Sequence, residues 1–188
     1  MLNNNDNLSE EENASSTFHS VHSRYLKFDT SVGSFIIELY TSHAPITCQH
    51  FQELALNGYY NDTLIHTIQP NHVFIGGDPT NTGKGGTPFD GYLSELVTSR
   101  LKHTGAGIIG MCENSQFYVT LAPTPWNDGK YGVFGRVKKG MNVIKAISKI
   151  PTGSKQHTMG GNVEEEGTTP LEDIMIHSIV EVNEEEIN

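Results

Sequence analysis

Long hydrophobic runs are missing from this sequence. Stretches such as Gly107–Cys112 fall far short of the roughly 18 apolar residues that a membrane helix needs, so no helical span is expected. Cysteine is scarce. Cys48 and Cys112 are the two present, and neither belongs to a Cys-x-x-Cys pair. Free thiols and a cytoplasmic or nuclear setting are therefore expected. The opening Met1–Ser16 lacks basic residues and any apolar stretch, so neither a secretory signal nor a transit peptide is expected there. Basic residues are absent from both ends of the chain. Residues 1–13 hold four acids and 164–188 hold nine, while all 12 Lys and Arg lie between 14 and 163. The net charge of −10 thus belongs to the ends. The mildly basic middle shows no clustered basic face, which argues against direct nucleic-acid binding, and the acidic ends read as solvated.

The 188 residues suit one domain with a substantial core. The expected organisation is a polar, acidic leader over 1–22, a domain over 23–182 and an acidic tail over 183–188. Tyr25–Thr30 and Ser34–Tyr40 alternate around Ser31-Val32-Gly33, which predicts two strands joined by a tight turn. Pro45 followed by Ile46, Phe51, Leu54 and Ala55, with Asn57-Gly58 as the stop, predicts an amphipathic helix. Between 59 and 136 short apolar runs are punctuated by glycine: Leu64–Ile68, Val73–Ile75, Gly107–Cys112, Phe117–Leu121 and Val133–Val137. That spacing predicts antiparallel strands of a sandwich or barrel. Val143, Ile144, Ile147 and Ile150 share a helical face before Pro151, and a last strand follows at Asp173–Val182. A β-barrel flanked by two helices is the expectation from these patterns.

Four segments carry a resemblance. They are Ala44-Pro-Ile-Thr-Cys-Gln-His-Phe51, Gly76-Gly-Asp-Pro-Thr-Asn-Thr-Gly-Lys-Gly-Gly86, Ser115-Gln-Phe-Tyr-Val-Thr120 and Trp126-Asn-Asp-Gly-Lys-Tyr-Gly-Val-Phe-Gly135. In this order and spacing they resemble the cyclophilins over 24–182, most of all the single-domain, spliceosome-associated cyclophilin-like proteins. The resemblance implies a closed antiparallel eight-stranded β-barrel capped by two α-helices. It also implies peptidyl-prolyl cis-trans isomerisation in protein folding or assembly, with proline-containing peptides or proteins as ligands. The subgroup adds splicing-complex proteins as partners. A monomer without cofactor is expected. Gly76-Gly77 and Gly83–Gly86 fit neither a P-loop nor a dinucleotide fingerprint, so turn geometry is the reading preferred to phosphate binding.

Rotation about an X–Pro bond breaks amide resonance at a barrier of about 18–20 kcal/mol. No covalent step is needed; the catalyst must hold the twisted imide better than either planar isomer. The family does so with an arginine in the motif Phe-His-Arg-Ile. Here the motif reads Ile65-His66-Thr67-Ile68, in ungapped register from Tyr59-Tyr60 to Gly76-Gly77, so Thr67 occupies the arginine's place. A short neutral hydroxyl cannot reach across a substrate as a guanidinium does. Reduced activity is expected.

The resemblance assigns the proline-binding groove to His72, Val73, Ile75, Cys112, Gln116, Tyr118, Trp126, Asn127 and Tyr131. His72 and Val73 stand where the family has Phe and Met, Ile75 where it has Gln, and Cys112 where it has Ala. Tyr118 replaces a floor Phe, Tyr131 a frequent His, and Asn127 a frequent Leu. Cys112-Glu113-Asn114 is shorter than the family's Ala-Asn-Ala-Gly-rich loop, and weak cyclosporin binding is expected from that. His66 is read as a satisfied structural histidine, and the cysteines as packing groups. The remaining histidines show no ligand spacing, so no metal site is expected. Two readings stand: a slow isomerase, and a proline-peptide binding module without turnover in a spliceosome-like ribonucleoprotein assembly.

Overall fold

The computed structural model describes residues 23–98, 100–153 and 167–187, with the 97 and 98 side chains left aside. The leader assigned to 1–22 lies outside them. Strands β1 (Tyr25–Thr30) and β2 (Gly33–Leu39) form the first hairpin, followed by helix α1 (Pro45–Leu56). Next come β3 (Thr63–Gln69), β4 (Val73–Asp78), helix α2 (Gly91–Thr98), β5 (Ile108–Met111) and β6 (Phe117–Thr120). Then follow β7 (Gly132–Lys139), helix α3 (Met141–Ile147), the short β8 (Thr152–Gly153) and β9 (Thr169–Pro170), and β10 (Met175–Glu181). Eight strands close a barrel in the order β1-β10-β3-β4-β6-β5-β7-β2, and β8 pairs with β9 beside it. Closure leaves the barrel strands no free edge.

The aromatic residues explain the closure. Phe28 stacks on Phe35 at 4.6 Å and meets Phe117 edge-on at 5.5 Å. From α1, Phe51 reaches Tyr60, Phe117 and Phe134 at 5.0, 5.7 and 4.9 Å, so one ring ties the helix to β6 and β7. All of these rings are almost wholly buried. Each contributes its transfer free energy, about 1.5–3 kcal/mol for a fully buried large apolar side chain, plus the ring-pair term.

The eight-stranded barrel expected from the resemblance is present, with α1 and α3 on their expected segments. The structure adds α2, which the sequence reading did not place. Its eight residues begin at glycine, and its reason to form lies in a distant contact. Helix α1 has Pro45 in its first turn and no side-chain cap of its own. The Glu95 carboxylate supplies one from α2, accepting from Ile46 N at 2.6 Å, Thr47 N at 3.1 Å and the Thr47 hydroxyl at 2.5 Å. A carboxylate at a helix N-terminus satisfies free N–H groups and complements the helix dipole.

The acidic tail, expected to be solvated, turns back onto the barrel as far as Ile187. Glu184–Glu186 form a 3-10 turn, Glu184 pairs with Arg24 at 3.4 Å, and Lys139 donates to the Glu186 carbonyl at 3.1 Å.

Candidate active site

Strand β3 carries an irregularity where the site begins. Its ladder with β4 pairs Ile65 with Gly76 and Thr67 with Ile75, so His66 is an extra, unpaired residue. Such a bulge re-aims neighbouring side chains. Here it brings His66 and Thr67 together, with His66 Nδ1 2.9 Å from the Thr67 hydroxyl oxygen.

The direction of that bond follows from Gln116. Its amide nitrogen faces two carbonyls, Gly85 at 2.9 Å and Gly83 at 3.3 Å, so its oxygen must face His66 Nε2 at 2.9 Å. Nε2 therefore carries the ring proton, and Nδ1 is left as an acceptor. Thr67 donates its one hydroxyl proton to that nitrogen. Burial, outweighing the opposing effects of Gln116 and Asp78, holds the His66 imidazole below its ordinary pKa and favours this neutral form.

The glycine-rich loop is folded around Asp78. Its carboxylate accepts from Thr80 N and Oγ1 at 2.8 Å, Thr82 N at 3.0 Å and Gly85 N at 3.1 Å. Burial works against the charged form, but these donors outweigh it and hold Asp78 far below the usual carboxylate range. The loop's converging N–H groups thus enclose the chain's own anion, which agrees with the turn reading. Gly83, at φ +77°, crosses the His66 ring, and a Cβ there would lie 3.1 Å from Nδ1.

The shortened Cys112–Gln116 loop is held by both neighbours. Asn114 and Ser115 take left-handed φ values of 56° and 60°. Ser115 accepts from His50 Nε2 at 2.8 Å and donates to the Thr87 carbonyl at 2.7 Å, while the Tyr60 hydroxyl binds its carbonyl at 2.8 Å. Those three bonds offset the left-handed backbone, which costs of order 1–3 kcal/mol per non-glycine residue.

A cleft of about 840 Å³ opens over this arrangement. Thr67, Ile75, Cys112, Gln116 and Tyr131 line it, together with Glu113, Lys84 and the 168–173 segment. His66, read as a core residue, is half-buried and also lines the cleft, with both ring nitrogens engaged. His72, Val73, Tyr118, Trp126 and Asn127 are not in that wall. Val73 and Tyr118 are buried in the barrel. His72 donates from Nδ1 to Gln69 at 2.6 Å, and its Nε2 accepts from the Trp126 indole at 3.2 Å and Asn127 at 3.1 Å. His72 and Trp126 therefore touch directly, with no cleft between them.

Three features were not anticipated. His103, passed over for lack of ligand spacing, is 2 % exposed and links Asp128 Oδ1 at 2.8 Å to the Tyr118 hydroxyl at 2.6 Å. Tyr118 lies over Gly110, where any Cβ would meet its hydroxyl. Asp78 was legible at most as a turn former, since Asp before Pro-Thr hydrogen-bonds its own loop. Lys84 is the one Lys or Arg among the described residues lining the cleft. Arg24 and Arg136 are paired instead with Glu38, at 3.9 and 2.9 Å. Both thiols are pushed up to about 12, Cys48 by burial and Glu95, Cys112 by burial and Glu113, so neither is a ready nucleophile. No cluster of potential metal ligands occurs among the described residues.

Comparison with known proteins gives concordant results. The family model for cyclophilin type peptidyl-prolyl cis-trans isomerase/CLD matches residues 25–181. A peptidyl-prolyl cis-trans isomerase-like 1 of Emericella nidulans is 49 % identical over 139 residues, covering 70 % of this chain and 86 % of the relative. Peptidyl-prolyl cis-trans isomerase ppi1 of Schizosaccharomyces pombe is 48 % identical over 136 residues, covering 69 % of this chain and 88 % of the relative. Among solved structures, a Cryptosporidium parvum cyclophilin type peptidyl-prolyl cis-trans isomerase crystallised in the presence of the dipeptide Ala-Pro is similar. It has a TM-score of 0.70 and 25 % identity, covering 85 % of this chain and 99 % of that one.

Proposed function

Because the chain belongs to the cyclophilin-type peptidyl-prolyl cis-trans isomerase family, we propose that it binds X–Pro segments in the cleft beside Thr67 and turns them over slowly. One observation carries the reading: the Thr67 hydroxyl is neutral, short and already donating to His66 at 2.9 Å. It has no second proton to offer a prolyl nitrogen that becomes pyramidal as the imide twists. The missing charge-assisted hydrogen bond is worth about 1.5–3 kcal/mol, which is about ten- to 150-fold in rate. The neutral contacts beside Thr67 hold planar and twisted imide alike, and uniform binding does not raise kcat.

A protease-coupled assay with a Suc-Ala-Ala-Pro-Phe-type peptide tests this. The expected kcat/KM is at least about tenfold below that of a cyclophilin bearing arginine at this position. Equal values would contradict the reading. A second reading, a platform for proline-containing segments of splicing-complex proteins, draws on the same occupied hydroxyl. Peptide binding with no turnover above the solvent rate would favour it.

A further inference from the structure

The cleft over Thr67 is also lined by a cation carried on the glycine-rich loop. Gly83 lies against His66, with a Cβ position 3.1 Å from the Nδ1 that accepts the Thr67 proton. Lys84 follows it directly. Consecutive Cα atoms are about 3.8 Å apart, and a lysine stem of four carbons spans about 6 Å. Lys84 and Thr67 line the same cleft, and an extended stem at 84 has the length to bring its ammonium over Thr67.

The backbone around Lys84 is held in place while its side chain stays exposed. Asp78 fixes Thr82 N and Gly85 N, and the Gln116 amide fixes the carbonyls of Gly83 and Gly85. Among the described residues the ammonium has no hydrogen-bond or ion-pair partner. Glu113, Glu172 and Asp173, exposed as Lys84 is, line the cleft too and make its surroundings favourable to a cation.

We propose that Lys84 is a catalytic residue of this chain: its ammonium donates to the prolyl nitrogen of the half-rotated imide, in place of the family's arginine. The inference rests on the reading that X–Pro peptides turn over beside Thr67. No bond is made or broken and no proton is transferred. The ammonium is a point donor on a flexible stem, so it restores part of the lost stabilisation and none of the fork geometry.

The test compares wild type, Lys84→Gln, Lys84→Arg and Thr67→Arg in full-length protein, with turnover and peptide affinity measured separately. Lys84→Gln is expected to lower kcat by about tenfold, with peptide affinity within about threefold of wild type. Lys84→Arg is expected to retain the rate. In the Thr67→Arg background the Lys84→Gln effect shrinks to about twofold or less, because the guanidinium takes over. A wild-type rate unchanged by Lys84→Gln overturns the proposal. So does a loss confined to affinity, or a wild type with no turnover at all. If Thr67→Arg gives no gain while Lys84→Gln still slows catalysis, the Thr67 reading fails and the Lys84 assignment stands.

Discussion

Trp126 donates its indole N–H to Nε2 of His72 across 3.2 Å, with the rings 5.6 Å apart. The side chain is 55 % exposed, yet its single donor is already engaged. Asn127 donates to the same nitrogen at 3.1 Å.

A ligand carbonyl that needs the indole donor must displace His72. His72 and Trp126 stand outside the wall beside Thr67, so His72→Phe is expected to leave proline-peptide affinity nearly unchanged. Trp126 is the chain's one tryptophan, so its fluorescence reports the loss of the His72 contact, while calorimetry reads the peptide affinity. A gain of about tenfold would instead show that the ligand reaches the indole N–H.

Removal of the remote cap gives a second expectation. Glu95→Ala frees the N–H groups of Ile46 and Thr47 and is expected to cost about 1–3 kcal/mol in urea unfolding. A loss under about 0.5 kcal/mol would show that solvent caps α1 equally well.

The third concerns pH. Burial lowers the pKa of His66, and it lowers that of His50, which stacks on Phe89 at 3.8 Å. As pH falls, the unfolded chain takes up protons on these residues before the fold does. The stabilisation from their neutral forms is complete above the unfolded value of about 6.5, and is lost as pH drops through the folded values. The urea midpoint should fall between about pH 7.5 and pH 5.5, and His66→Asn should flatten that slope. A midpoint that rises on acidification would contradict the burial argument.

A fourth probes the barrel wall. Tyr118→Phe leaves the buried His103 Nε2 without its 2.6 Å partner, at an expected cost of about 1–3 kcal/mol. Thermal unfolding would show it as a lower Tm; an unchanged Tm would mean that His103 finds another partner.

Strands and two helices were legible because their signals are local. Alternation in Tyr25–Thr30 and the Pro45 start of α1 need no knowledge of the rest of the chain. Helix α2 was not legible, because Glu95 owes its place to α1, about fifty positions earlier. At the site, ungapped register put Thr67 beside Ile75 and Gln116 in one cleft. It could not tell that a bulge at His66 would turn the Thr67 hydroxyl onto Nδ1. Nor could it tell that Trp126 and His72 would bond to each other and leave the cleft wall. Side-chain partners separated by fifty residues or more depend on packing that no local pattern encodes.

The most direct test is the turnover number of Thr67→Arg against wild type on one X–Pro peptide. Supplying a guanidinium at residue 67 should raise kcat at least about tenfold, with peptide affinity nearly constant. A variant that folds, binds peptide and turns over no faster would show that something other than the absent donor limits the reaction.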